Sequence, residues 1–140
     1  MKTKKENRKS GIPTGNAGEY FVMGELLRRG FDAQLADRNT KGYDILVGRS
    51  DETTMRRVQV KTARSSSWWV NRSDFKGEHL ERVTIYVLLS RDSKKPVRYF
   101  ITKNRRLKMH FKRPHQWKHH GFMSMKVVEP YEDRWNDLLK

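Results

Sequence analysis

Apolar residues recur at helical spacing between Ala17 and Arg29, at Ala17, Tyr20, Phe21, Met23, Gly24 and Leu27 with Leu26 beside them, and Gly30 follows as a stop. This stretch predicts an amphipathic helix. Phe31 to Asp37 predicts a modest first strand. After the turn residues Asn39-Thr40-Lys41-Gly42, the apolar run Tyr43 to Val47 predicts a stronger one. A second turn-rich stretch, Gly48 to Thr54, leads to Arg57-Val58-Gln59-Val60-Lys61-Thr62, where valines alternate with polar residues as in a half-buried strand.

Farther along, Trp68 to Val70 is ambiguous. Arg82 to Leu89 and Val97 to Thr102 are strand-like and, separated by the turn signals Ser90 to Pro96, are suited to pair as a hairpin. Lys103 to Lys112 reads as a helix, followed by a His- and Lys-rich stretch to Gly121, a short strand at Met123 to Val128 and an amphipathic turn from Tyr131 to Leu139. No repeat and no internal boundary is visible. The expected organisation is a disordered basic arm over residues 1–13 and a single domain over 14–140, built as an α/β fold. At 140 residues, such a chain buries roughly two-thirds of its unfolded surface in one core.

Charge changes the picture. Lys and Arg number 31 against 16 Asp and Glu, a net charge of +15 with a pI near 10.3. A compact state that repels itself this strongly points to an anionic partner, with nucleic acid first. A membrane is the weaker candidate. No segment approaches the ~20 apolar residues of a spanning helix, and no hydrophobic stretch follows the basic N-terminus as in a secretion signal. There is no cysteine, which excludes disulfides, thiolate zinc sites and a cysteine nucleophile, and the expected compartment is the cytoplasm.

Four polar residues occupy positions that bland packing does not favour. Gln59 and Lys61, at i and i+2 of a strand, project from one face about 6.6 Å apart, while Val58 and Val60 take the other. Asp44 interrupts an apolar strand between Tyr43 and Ile45, where a hairpin pairing would bring it beside Gln59. Glu19 shares a helical stripe with Val22, Met23 and Leu26, at the border of the buried face. Phosphodiester hydrolysis needs a cation, and Mg²⁺ prefers oxygen ligands at about 2.1 Å. Asp44 and the Gln59 carbonyl suit that role, Glu19 can bind directly or through water, and Lys61 can stabilise phosphoryl charge.

Gly18-Glu19, Gly42-Tyr43-Asp44-Ile45-Leu46-Val47 and Val58-Gln59-Val60-Lys61-Thr62 together resemble the PD-(D/E)xK nuclease superfamily, over Asn16 to Thr62. Asp44 follows Glu19 by 25 residues and Gln59 follows Asp44 by 15, spacings similar to those of archaeal Holliday junction resolvases and restriction-type endonucleases. The resemblance implies a restriction-endonuclease-like core, a central mixed β-sheet flanked by helices. It implies an Mg²⁺-dependent endodeoxyribonuclease, Mn²⁺ substituting, with Glu19, Asp44, Gln59 and Lys61 catalytic and the first three at the metal. It also implies a homodimer by analogy with enzymes that cut two strands.

Gln59 departs from the pattern, standing where the family usually has Glu or Asp. The site loses a negative charge, and a Gln is no general base, so water activation falls to the metal or the substrate phosphate. The rival reading is therefore a catalytically inert DNA-binding module that keeps the fold. A basic nucleic-acid-binding protein unrelated to nucleases leaves a carboxylate at the core border, Glu19, unexplained. Candidate phosphate contacts are Arg38, Lys41, Arg64, Lys112, Arg113 and Lys118. The histidines at 110, 115, 119 and 120 fit no closed tetrahedral zinc site and read as a basic, pH-tunable surface. Of Trp68 and Trp69, at least one is expected buried and either can line a substrate groove, while Trp117 either stacks on a base or packs locally, with core packing the expectation.

Overall fold

In the computed structural model, residues 11–37, 43–49 and 55–140 are described. Helix α1, Gly11–Arg28, is longer than the apolar spacing alone predicts, so residues 11–13 belong to it, and the rest of the expected arm lies outside the described residues. Gly30 ends the helix with a φ of 88°, a backbone conformation open mainly to glycine, and Phe31 N–H closes back on Leu26 O at 3.0 Å.

Five strands form the main sheet: β1 (Asp32–Leu35), β2 (Ile45–Gly48), β3 (Arg56–Ala63), β5 (Val83–Leu88) and β6 (Arg98–Lys103), in the order β1-β2-β3-β5-β6. The β3–β5 pairing is parallel and the others are antiparallel, so the sheet is mixed. The expected hairpin is β5–β6. A smaller antiparallel sheet joins β4 (Ser67–Asn71) to β7 (His120–Ser124), which resolves the ambiguous Trp68 to Val70 as strand. Among the described residues no helix is long and apolar enough to cross a membrane.

Alternation along the strands divides the core in two. Val58, Ile85, Val87 and Ile101 face α1, packing with its Val22 and Leu26 and with Trp135 and Leu138. The intervening Tyr86 and Phe100 face the other way, onto Trp68 and Val70 of β4 and Met123 of β7. This second face is where the small sheet lies.

Two segments differ from the pattern. The strand expected over Met123 to Val128 stops at Ser124 and continues as helix α3, Met125–Val128. Met125 N–H donates to Ser66 O at 2.7 Å, the turn before β4, so the chain is pulled out of the ladder there. The helix expected over Lys103 to Lys112 is one α-turn, α2 (Asn104–Leu107), and a 3₁₀ turn, Lys108–His110. Lys112 then bridges Phe122 and adds a short edge to β7. Gly121 makes this crossing possible, because a Cβ there would collide with the Lys112 carbonyl and the Phe111 ring.

Candidate active site

Strand β3 carries the site because its two faces differ. Val58, Val60 and Thr62 point toward α1, while Gln59 and Lys61 point to the opposite face. The regular β2–β3 pairing ends at Ile45↔Val58, and Asp44 N–H extends it by donating to Val58 O at 2.9 Å. Beyond that point β2 no longer covers the edge of β3, and the Val60 N–H would lack a partner. Asp44 Oδ2 accepts it at 2.8 Å. The carboxylate is thereby fixed at the residue between Gln59 and Lys61.

Burial is the largest influence on Asp44 and raises its pKa above the usual carboxylate range. The Val60 N–H and Lys61 oppose the shift, and Asp74 adds to it. Gln59 Oε1 is buried with no hydrogen-bond partner among the described residues. A buried amide oxygen without a donor is costly, and this one is free to accept from a water or to bind a cation.

Asp74 is the residue that sequence reasoning missed. It sits on the 3₁₀ turn Arg72–Phe75, 8% exposed, with Oδ2 3.5 Å from Lys61 Nζ and accepting Asn71 N–H at 3.2 Å. The turn is anchored by the buried Asn104, whose Nδ2 donates to Asp74 O and His79 O, each at 3.0 Å, while Thr84 Oγ1 donates to Asn104 Oδ1 at 2.6 Å. No periodicity marks such a residue; the only local signal is Asn71 and Asp74 at capping spacing.

Glu19 lies half-buried on α1. Gly18 beside it lies against Thr62, so closely that any Cβ would overlap the Thr62 side chain, and helix and strand cross where β3 has left β2 behind. The fold therefore brings Asp44, Gln59 and Lys61 together around Val60 and sets Glu19 on the helix covering the other face of the same stretch of β3.

A divalent cation fits the donors present. Asp44 and Gln59 offer oxygen only, with one carboxylate held in place and one amide oxygen lacking a donor, and Mg²⁺ is commonly held by one or two carboxylates plus waters and substrate oxygens. Among the described residues, no cluster of three His, Asp or Glu forms a fuller protein cage.

Of the expected phosphate contacts, Arg64 is exposed in the turn between β3 and β4, lining a groove with Lys95 and Arg98. Lys112, Arg113 and Lys118 are exposed together on the segment that crosses β7, with Arg113 Nη1 donating to Lys118 O at 3.2 Å. Arg38 and Lys41 lie outside the described residues. Trp68 is buried, its Nε1–H on Val87 O at 3.0 Å, while Trp69 is 57% exposed. Trp117 is not in the core: it leans on Trp69 at 4.4 Å between ring centroids.

No protein-family model and no curated protein sequence matches this chain. Among solved structures, the fold is similar to the Holliday junction resolvase of Archaeoglobus fulgidus, with a TM-score of 0.54 at 15% identity, covering 83% of this chain and 88% of that one. It is also similar to the bacterial homing endonuclease I-Ssp6803I, with a TM-score of 0.63 at 12% identity and 94% of each chain covered. The fold is restriction-endonuclease-like, a mixed sheet flanked by helices.

Proposed function

We propose that this chain, on its restriction-endonuclease-like fold, is a divalent-metal-dependent DNA endonuclease hydrolysing phosphodiester bonds, with Glu19, Asp44, Gln59 and Lys61 as its active site. The observation that carries this reading is the Asp44 carboxylate fixed on the Val60 N–H between Gln59 and Lys61. The Gln59 and Lys61 side chains leave one face of β3 on either side of Val60, and Gln59 Oε1 is buried without a donor among the described residues.

Asp44 and the Gln59 carbonyl are the groups to hold Mg²⁺, or Mn²⁺ in its place; Glu19, on the helix across the strand from them, is assigned to the metal by the sequence resemblance, directly or through water. When bound, the cation supplies Lewis-acid charge for the phosphoryl oxygens and lowers the pKa of a water. Lys61 places a compact cation beside the scissile phosphate, where charge grows in the transition state. Asp74 holds the Lys61 ammonium at 3.5 Å and limits the positions it samples. Arg64, Lys112, Arg113 and Lys118, and by charge Arg38 and Lys41, contact backbone phosphates and set register rather than reading bases. One such site cuts one strand at a time, and scission of both strands calls for a homodimer on the DNA.

The test is cleavage of labelled duplex, single-stranded and four-way-junction DNA with Mg²⁺, Mn²⁺ or chelator. Cutting that requires the metal supports the enzyme. Binding without cutting on every substrate, with or without metal, supports the inert module instead.

A further inference from the structure

The outward face of the small sheet carries an aromatic cluster that the proposed chemistry does not use. The inward residues Trp68, Val70 and Met123 fill the core. The outward residues Trp69 and Asn71 of β4 stand opposite Phe122 and His120 of β7. Trp117 folds back onto this face, 4.4 Å from Trp69 and 6.3 Å from Phe122 between centroids, and His120 lies 5.5 Å from Trp69. His120 Nδ1–H donates to Asn71 Oδ1 at 2.9 Å, which fixes the imidazole beside the indole. Despite these neighbours, Trp69 remains 57% exposed.

The segment that supplies Trp117, His120 and Phe122 is cationic, while the Asp74 carboxylate lies at the β4 end of the cluster. Between Asp92 and Glu129 the chain contains no acidic residue. Lys112, Arg113 and Lys118 border the aromatic face, all exposed, and none of them takes part in an ion pair among the described residues. A flat indole braced by a second ring and edged with unpaired cations is complementary to a nucleotide, with the ring against the base and the cations against its phosphates.

The cluster also adjoins the proposed active site. Asn71, next but one to Trp69 in β4, donates its N–H to Asp74 Oδ2, and Asp74 pairs with Lys61.

We infer that Trp69, braced by Trp117 and His120, is a stacking site for an unpaired nucleobase of a DNA strand, so that this protein selects substrates with an unstacked or single-stranded nucleotide. The inference rests on the nuclease reading for the identity of the anion. Bases inside a continuous duplex have no free face to offer, so the site discriminates between strands with and without an unpaired base.

Binding in chelator, where nothing is cut, tests this on the full chain with oligothymidylate, blunt duplex and a duplex carrying a single-stranded tail. Loss of base stacking is expected to weaken oligothymidylate and tailed-duplex binding by Trp69→Ala roughly 5- to 150-fold, with blunt-duplex binding unchanged within about twofold. Trp69→Phe, which keeps a ring, is expected to restore most of the difference, whereas Lys118→Ala weakens all three DNAs alike and lowers the salt slope. Equal losses on all three DNAs in Trp69→Ala, or no loss on any, overturn the stacking site and leave the nuclease reading standing. A wild-type chain that binds none of them overturns both.

Discussion

Lys61 Nζ stands 3.5 Å from Asp74 Oδ2, with side chains only 16% and 12% exposed, so a charge on the central strand is paired from a turn that follows it by a dozen residues. The same oxygen accepts Asn71 N–H. Asp74 thus has two tasks, one electrostatic and one structural, and two substitutions separate them.

Asp74→Asn keeps an acceptor for Asn71 N–H but gives up the negative charge beside Lys61. Cleavage is expected to fall about ten- to a hundredfold with little change in melting temperature. Asp74→Ala removes the acceptor as well and is expected to cost a further ~1–3 kcal/mol of folding stability. Cleavage rates and chemical denaturation of the two variants side by side check this.

Asp44 is held in a fold that raises its pKa, chiefly through burial. A raised folded pKa means that the ionised carboxylate is disfavoured in the native state. The resulting loss of stability is present above the folded pKa and vanishes below the unfolded value of about 3.9. Asp44→Asn retains an acceptor for Val60 N–H and carries no charge. In chelator it is expected to be more stable than wild type at neutral pH, with the gap closing as pH falls through the carboxylate range. Denaturant titrations across pH 3 to 8 measure the gap.

Placing an acidic residue at position 59 exchanges stability for metal binding. Gln59→Glu adds a second carboxylate close to Asp44, and metal affinity is expected to rise. Without metal, the buried like charge is expected to lower stability by ~1–3 kcal/mol. Melting curves in chelator and at increasing Mn²⁺ are expected to cross.

Gly18→Ala tests how α1 is seated. A methyl group there overlaps the Thr62 side chain, so the helix must shift away from β3 and carry Glu19 with it. Destabilisation of ~1–3 kcal/mol is expected. The double variant Gly18→Ala/Thr62→Ala is expected to recover part of it, a coupling that a double-mutant cycle in denaturant reads directly.

The sequence was most legible where one physical pattern governed a segment. Alternation of Val58 and Val60 with Gln59 and Lys61 announced both β3 and the face its polar residues would share. The turn residues Ser90 to Pro96 announced the β5–β6 hairpin. Asp44 stood out because a carboxylate within an apolar run needs a reason, but the structure starts β2 one residue later, at Ile45, and the Val60 N–H that Asp44 satisfies follows from strand divergence that no local pattern encodes. Asp74 was invisible because its position depends on Asn104, thirty residues on, clamping a short 3₁₀ turn. The apolar residues from Met123 to Val128 looked like one strand because the contact that bends them away, Met125 N–H to Ser66 O, is long-range. Trp117 looked like core material, and only the β4–β7 pairing reveals the exposed Trp69 against which it rests.

The central claim is that Asp44 and Lys61 act together in metal-dependent strand cleavage, and single-turnover cutting of labelled DNA by wild type, Asp44→Ala and Lys61→Ala in Mg²⁺ tests it most directly, with DNA affinity in chelator measured on the same samples. The expected result is metal-dependent cutting by wild type, a loss of at least a hundredfold in each variant, and DNA affinities that differ little. Wild-type cutting that survives chelation or either substitution, or DNA binding with no cutting by the wild-type protein, would contradict the account.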